Sequence, residues 1–223
     1  RKRGCPLLGI ETSEPNGTVK AIGTMMAEQD GVAWTWDCTD EARPMTVQAQ
    51  EYGTEEHLSD PASMLKWAAS LPAKAMVVAQ WHEEFWQDAV VRQGMMNLRD
   101  AFKGNGRTLI LVGRGLQVPL ALRSDFLLWH AKLPGTEELA KIVQSIVQVV
   151  GCVPPLEEEC NQTIDALRGM TAFEAEQQCA MAACKESIDV AALWKAKVAL
   201  INDTPGLQCW QGGERAEGVR GLD

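Results

Sequence analysis

The 223-residue sequence is 46% hydrophobic and 23% charged, ordinary proportions for a globular chain of one large domain or two small ones. Its formal net charge of −9 excludes a general binder of the nucleic-acid backbone, which needs a basic surface. No apolar run approaches the roughly 18 residues of a helical membrane span, and no signal-peptide pattern opens the sequence.

Residues 6–12, PLLGIET, predict a first strand, and Ser13 to Gly17 (SEPNG) predict a turn, with Thr18 opening a helix through Val19, Ile22, Met25 and Met26. Alternation in VAWTWD (32–37) gives a second strand. Residues 38–58 are polar and aperiodic and predict an exposed loop. Asp60-Pro61 start a short helix carrying Met64, Leu65, Trp67 and Ala68, which Leu71-Pro72 ends. The apolar run around Val77 and Val78 and the run Leu109 to Val112 fit strands covered on both faces. Between them Val91, Met95, Leu98 and Phe102 mark one face of a helix, so this stretch is a βαβ unit. After a loop, GRGLQVPLALRSD, residues 126–129 (FLLW) form the fifth strand. The expected fold is α/β, a mostly parallel five-stranded sheet with helices on both faces, over residues 1–133.

From Pro134 the pattern becomes helical, and residues 134–202 are expected to form a small helical lid domain. Leu139, Ile142, Val143 and Ile146 define one helix face, and residues 156–168 follow the break at Pro154-Pro155. Thr171 and Glu174 form a capping box opening a third helix. Asp189 caps a fourth, with Leu193, Trp194, Val198 and Ile201 expected inward. Residues 203–223, with five glycines among them, read as a linker. Arg1 and Asp223 both look like internal cut points of a longer protein. Arg1-Lys2-Arg3 reads as a solvated end more simply than as a basic site.

The seven cysteines stand at 5, 38, 152, 160, 179, 184 and 209, an odd count without a CxxC pair. Neither a disulfide framework nor a zinc ribbon follows, and reduced thiols in a cytoplasmic protein are expected. His57, His82 and His130 lie far apart without metal-ligand spacing, so no metal site is predicted. There is no Gly-x-Ser-x-Gly elbow either.

Five strands with helices and then a helical bundle is the layout of an AAA+ nucleotide-hydrolysing module. Such a module carries a phosphate loop, G-x-x-x-x-G-K-[ST], after its first strand, whose N–H groups and Lys hold the phosphates. That place is held here by SEPNGTVK, so Asn16, Gly17, Thr18 and Lys20 mark a degenerate phosphate-loop position. The acidic residues that hold Mg²⁺ at the end of the third strand are replaced by Gln80-Trp81-His82-Glu83-Glu84. Gln80 is a poor substitute for a magnesium-ordering carboxylate. Glu83 and Glu84 read either as paired acids or, more simply, as a helix start favoured by the dipole. Arg123, just before the last strand, reads either as an arginine acting in trans on a neighbour's nucleotide or as a surface residue paired with Asp125 or solvated.

With PLLGIET, VAWTWDCTD, MVVAQWHEEF and RTLILVGRGLQVPLALRSDFLLWHAKLPGTEEL in place, the chain resembles the N-terminal half of the Ycf-type AAA+ ATPases, a family first named for a hypothetical chloroplast reading frame. LRGMTAFEAEQQCAMAA resembles its lid-helix segment, and VRGLD the sequence that precedes its functional ATPase module. The stretch 107–139 is the most specific. The resemblance implies a degenerate domain without a phosphate loop or catalytic residues. It places ATP and Mg²⁺ in a C-terminal module of the parent protein, with no cofactor in this chain. Its expected partners are that module, neighbouring subunits of a homo-oligomer such as a hexamer, and a protein client to be remodelled. Gln80 departs from a commonly acidic position, and Gly113-Arg114 replaces a small polar-Pro pair. Two other readings compete: a nucleotide-binding ATPase domain with an atypical loop and Arg123 acting in trans, and a stand-alone regulatory α/β binding module.

Overall fold

The computed structural model describes residues 6–53, 57–203 and 206–209. Arg1-Lys2-Arg3, Cys5, VRGLD and most of the 203–223 linker fall outside the described residues. The chain divides into two units, Arg1–Lys132 and Leu133–Asp223.

The first unit is built on a sheet with the order β3-β2-β4-β5-β1-β6. Its strands are β1 (Leu7–Glu11), β2 (Ala33–Asp37), β3 (Glu41–Pro44), β4 (Met76–Gln80), β5 (Thr108–Gly113) and β6 (Phe126–His130). Five run parallel, and β3 alone pairs antiparallel, with β2. The α/β expectation holds, with six strands in place of five. Side chains alternate between faces along each strand. Leu7, Trp34, Trp36, Val77, Leu109 and Leu111 face a core shared with helices α3 (Pro61–Ser70) and α4 (Ala89–Asn105). Val78, Ile110 and Val112 face the other way, onto Val19 and Met26 of helix α1 (Pro15–Glu28). Both helices of the first face are capped from the sequence. Asp60 accepts from the Ser63 N–H (2.8 Å) and Asp88 from the Val90 N–H (2.7 Å). Gly106, at φ 72°, ends α4 in the left-handed conformation that glycine adopts without strain.

Two sequence expectations are corrected here. Helix α1 starts at Pro15, so SEPNG is not a turn ahead of Thr18. Proline suits the first helical position, because its missing N–H would have had no partner there. Residues 38–58 are not a loop throughout, since they hold β3 and a one-turn helix α2 (Val47–Gln50). Strand β3 is short, polar and ends in Pro44, features that guard an edge strand and hide it from an apolar-run search.

Asp37 makes the β2–β3 hairpin. Its Oδ1 accepts from the N–H groups of Thr39 (3.0 Å) and Asp40 (2.7 Å) and from the Thr39 hydroxyl (2.6 Å), while Oδ2 meets Arg43 (2.9 Å). Burial pushes its pKa upward, but these hydrogen bonds and Arg43 outweigh burial and hold the carboxyl below the usual carboxylate range. A lowered folded-state pKa stabilises the fold above the unfolded value near 3.8, and that contribution disappears as pH falls through the folded pKa. Asp37→Ala should therefore cost about 1 kcal/mol at pH 7, and in urea titrations the gap to wild type should narrow as pH falls below 3.8 and through the lowered folded-state pKa.

The second unit contains α5 (Thr136–Val150), α6 (Glu157–Leu167), α7 (Ala172–Ala182) and α8 (Val190–Asp203). The capping box of α7 forms as expected. The Thr171 hydroxyl accepts from the Glu174 N–H (3.1 Å), and Glu174 accepts from the Thr171 N–H (2.9 Å). Leu139, Val143, Ile146, Ile164, Leu167 and Leu193 make the core. Trp194 is not inward. It is 44% exposed, with the Lys197 ammonium 4.8 Å from its ring centroid, because a residue next to Leu193 falls about 100° round the helix.

Three thiols join this core. Cys152 and Cys179 are buried and Cys160 packs beside them. Burial pushes the Cys179 pKa up to about 11, with Cys152 and Cys160 adding to the effect. Cys184 is exposed, and N–H groups of Ser187 and Glu186 lower its pKa. At pH 8 iodoacetamide should label Cys184 roughly a hundredfold faster than Cys179, which mass spectrometry of the peptides reads directly.

Candidate functional site

An open α/β sheet presents its ligand crevice beyond the carboxyl ends of its strands. The connection there between β1 and α1 is three residues, Thr12, Ser13 and Glu14. Thr12 is buried, and its hydroxyl is held between this turn and the first turn of α1. It accepts from the Glu14 N–H (3.1 Å) and from the Thr18 hydroxyl (3.1 Å). The Glu14 carboxylate lies over the first turn of α1, its Oε2 only 3.5 Å from where a Cβ on Gly17 would stand. A carboxylate at that end of a helix takes up the positive pole that an anionic ligand would otherwise use.

Asn16, Gly17, Thr18 and Lys20 therefore lie inside α1, not in a loop ahead of it. The structure brings Asn16 together with Gln80, 64 residues away, at the end of β4. The Gln80 amide donates to Asn16 Oδ1 at 2.9 Å. Two neutral amides thus meet across the gap between the α1 N-terminus and the β4 carboxyl end.

Glu83 and Glu84 sit in the first turn of a 3₁₀ segment, Glu83–Gln87, which follows β4. The helix-start reading holds in kind, with a tighter helix than expected. Both line a cleft of about 640 Å³ whose other wall is Gln117 to Leu120, after β5. A second cleft of about 400 Å³ lies beyond β1, β5 and β6, lined by Glu11, Ser13, Arg114 and His130. His130 Nδ1 and Glu11 Oε2 stand 2.6 Å apart across the β1–β6 pair.

Arg123 lines neither cleft. It opens a 3₁₀ turn, Arg123–Asp125, ahead of β6, and is exposed. Of the two surface readings, pairing with Asp125 does not form, and the exposed side chain matches the solvated one. Asp125 is taken by Arg99 of α4 at 2.9 Å, and Arg99 also holds Asp100 at 2.9 Å. Among the described residues Arg123 has no ion-pair partner. Arg92, which lines the first cleft, went unnoticed in the sequence as a site residue, since the facing wall comes from a distant element.

His57 and His82 line neither cleft, and His82 packs edge-on to the Phe85 ring. Among the described residues no group of three His, Cys, Asp or Glu side chains could hold a metal ion, and no helix is long and apolar enough to cross a membrane.

Solved structures share this architecture. A FIGL-1 AAA domain in complex with ADP is 13% identical with a TM-score of 0.57, over 88% of this chain and 72% of that one. The Escherichia coli MS115-1 HORMA:CdnC:Trip13 complex contains a chain 12% identical with a TM-score of 0.53, over 87% and 74%. A single-site variant of Thermotoga maritima RuvB is 13% identical with a TM-score of 0.51, over 88% and 61%. At such identities the likeness is one of fold. No curated protein matches by sequence. The family model for the N-terminal domain of SpoVK-like AAA ATPases matches residues 3–130, more than half of the sequence, and the chain belongs to that family.

Proposed function

We propose that this chain is a non-catalytic AAA+-like domain of a Ycf-type ATPase, which serves ring assembly with neighbouring subunits or engages a protein client. The observation that carries this reading is the closed β1–α1 connection. A phosphate loop needs a run of free N–H groups and a Lys at the terminal phosphates. Here the turn is three residues long, its Glu14 N–H is spent on Thr12, and a carboxylate stands over the helix start. The Asn16–Gln80 amide pair offers no carboxylate for Mg²⁺. In this reading ATP and Mg²⁺ belong to a separate ATPase module of the parent protein. Assembly is homo-oligomeric, as in a hexamer, and the compartment is the cytoplasm.

The exposed, unpaired Arg123 favours a second role alongside this one, an arginine offered in trans to a neighbouring module's nucleotide. A fluorescent ATP analogue with Mg²⁺, titrated into the chain with its solution mass recorded, tests the main reading. No saturable binding up to millimolar analogue is expected. Micromolar binding would overturn the non-catalytic assignment, and Arg123→Ala in a hydrolysis assay of the assembled protein would then follow.

A further inference from the structure

The cleft beside Glu83 and Glu84 is unused by the reading above. Its volume of about 640 Å³ falls in the range of ligand sites. Its two walls differ in chemistry. One is the 3₁₀ segment, which presents the exposed carboxylates of Glu83 and Glu84 and the Gln87 amide. The facing wall is the turn Gln117 to Leu120, where Leu120 is 86% exposed above a mostly buried Val118.

Both walls are fixed from beneath. Trp86 is 5% exposed and packs on Trp81 (ring centroids 5.0 Å) and Phe126 (6.2 Å). The Arg92 guanidinium donates to the Trp86 carbonyl, which ties α4 to the 3₁₀ segment. The opposite turn closes through the Leu122 N–H on the Pro119 carbonyl (2.8 Å), and Leu122 itself is fully buried. Such a groove is largely preformed, so a ligand would lose little free energy to ordering it.

The geometry points to a docking site for an extended protein segment that carries a basic side chain next to an apolar one. The basic group meets Glu83 and Glu84, and the apolar group covers Leu120 and Pro119. The amides of Gln87 and Gln117, which both donate and accept, serve the segment's main chain. Charge complementarity selects this occupant. Arg92 also lines the cleft, where it donates to the Trp86 carbonyl, but the exposed carboxylates of Glu83 and Glu84 outnumber that one guanidinium, and the chain as a whole carries −9. The proposal rests on the reading of the chain as a client-engaging unit and names the chemistry of the client.

The test uses the full chain and a fluorescein-labelled peptide, Gly-Ser-Leu-Lys-Leu-Arg-Ser-Gly, with its Glu-for-Lys-and-Arg counterpart as control. Anisotropy should show saturable binding of the basic peptide that weakens with added salt, and at least tenfold weaker binding of the acidic one. E83Q with E84Q, and separately Leu120→Ser, should each lower affinity about tenfold. All three positions are exposed, and circular dichroism should confirm an unchanged fold. Equal affinity for both peptides, or binding indifferent to these variants, would overturn the proposal. Self-association of the chain that the same variants abolish would also overturn it and assign the groove to a second copy. The nucleotide titration is read separately. A null there with no peptide bound removes this site and leaves the non-catalytic reading intact.

Discussion

Trp36→Ala should destabilise the α/β unit by about 3–5 kcal/mol, the usual range for emptying a large aromatic site. Trp36 is fully buried in β2, and its indole N–H donates to the Leu58 carbonyl. Its ring lies against Trp81 (6.4 Å) and Phe85 (6.0 Å), so truncation opens a void in the middle of an aromatic cluster. The Leu58 carbonyl would lose its indole donor, adding about 1–3 kcal/mol if no water reaches it. Domains of this size are stable by only about 5–15 kcal/mol, so urea unfolding monitored by far-UV circular dichroism should find the variant close to the threshold. Trp36→Phe separates the two contributions. It keeps most of the volume and loses only the N–H, and should cost about 1–3 kcal/mol. Equal losses for both variants would mean that the hydrogen bond, not the packing, holds this site.

Trp36 also shows what kind of information the sequence carries. Trp34 and Trp36 alternate along β2, and both face the same core, as a period of two requires. The helical face Val91, Met95, Leu98 and Phe102 is buried throughout, because a spacing of three and four residues has one geometric meaning. Local periodicity was therefore legible. Strand β3 was not, since an edge strand only four residues long has no apolar face to repeat. The start of α1 was hidden differently. Pro15 and Gly17 are turn formers in most contexts, yet proline at the first helical position is equally sound chemistry. Deciding between them depends on where β1 ends.

The candidate site was legible as a set of positions and not as an arrangement. The absence of a phosphate-loop pattern was plain from SEPNGTVK, but the Asn16–Gln80 hydrogen bond joins residues with no local relation. The same holds for Arg123. Sequence proximity favoured Asp125 as its partner, whereas the fold delivers Arg99 from α4 to that carboxylate. Arg123 is left with its charge exposed, the solvated one of its two surface readings. The groove was invisible for a similar reason. Leu120 in a loop is unremarked in a sequence until β4 and β5 place Glu83 and Glu84 across from it.

Gly113 has a physical explanation that leads to the second large effect. It ends β5, and a Cβ built there would stand 2.5 Å from the Trp81 carbonyl oxygen. That neighbour is backbone and cannot swing aside as a side-chain tip could. Two further hydrogen bonds hold the junction together, the Thr12 N–H to the Gly113 carbonyl (3.0 Å) and the Trp81 N–H to the Val112 carbonyl (2.8 Å). Gly113→Ala should therefore push the end of β4 outward and cost about 1–3 kcal/mol. Trp81 packs on Phe85 and Trp86, so the displacement would carry into the 3₁₀ segment that bears Glu83 and Glu84. Tryptophan emission should shift to the red, and affinity for the basic peptide should fall even in conditions where the variant stays folded. Gly115→Ala is the matching control. Gly115 has a φ of 59° with nothing within 4 Å of the added methyl, so its cost of about 1–2 kcal/mol is backbone strain alone. It should leave the emission of Trp81 and Trp86 unchanged. If Gly113→Ala behaved like Gly115→Ala in emission and peptide affinity, the close approach of the Trp81 carbonyl would not be what positions the groove.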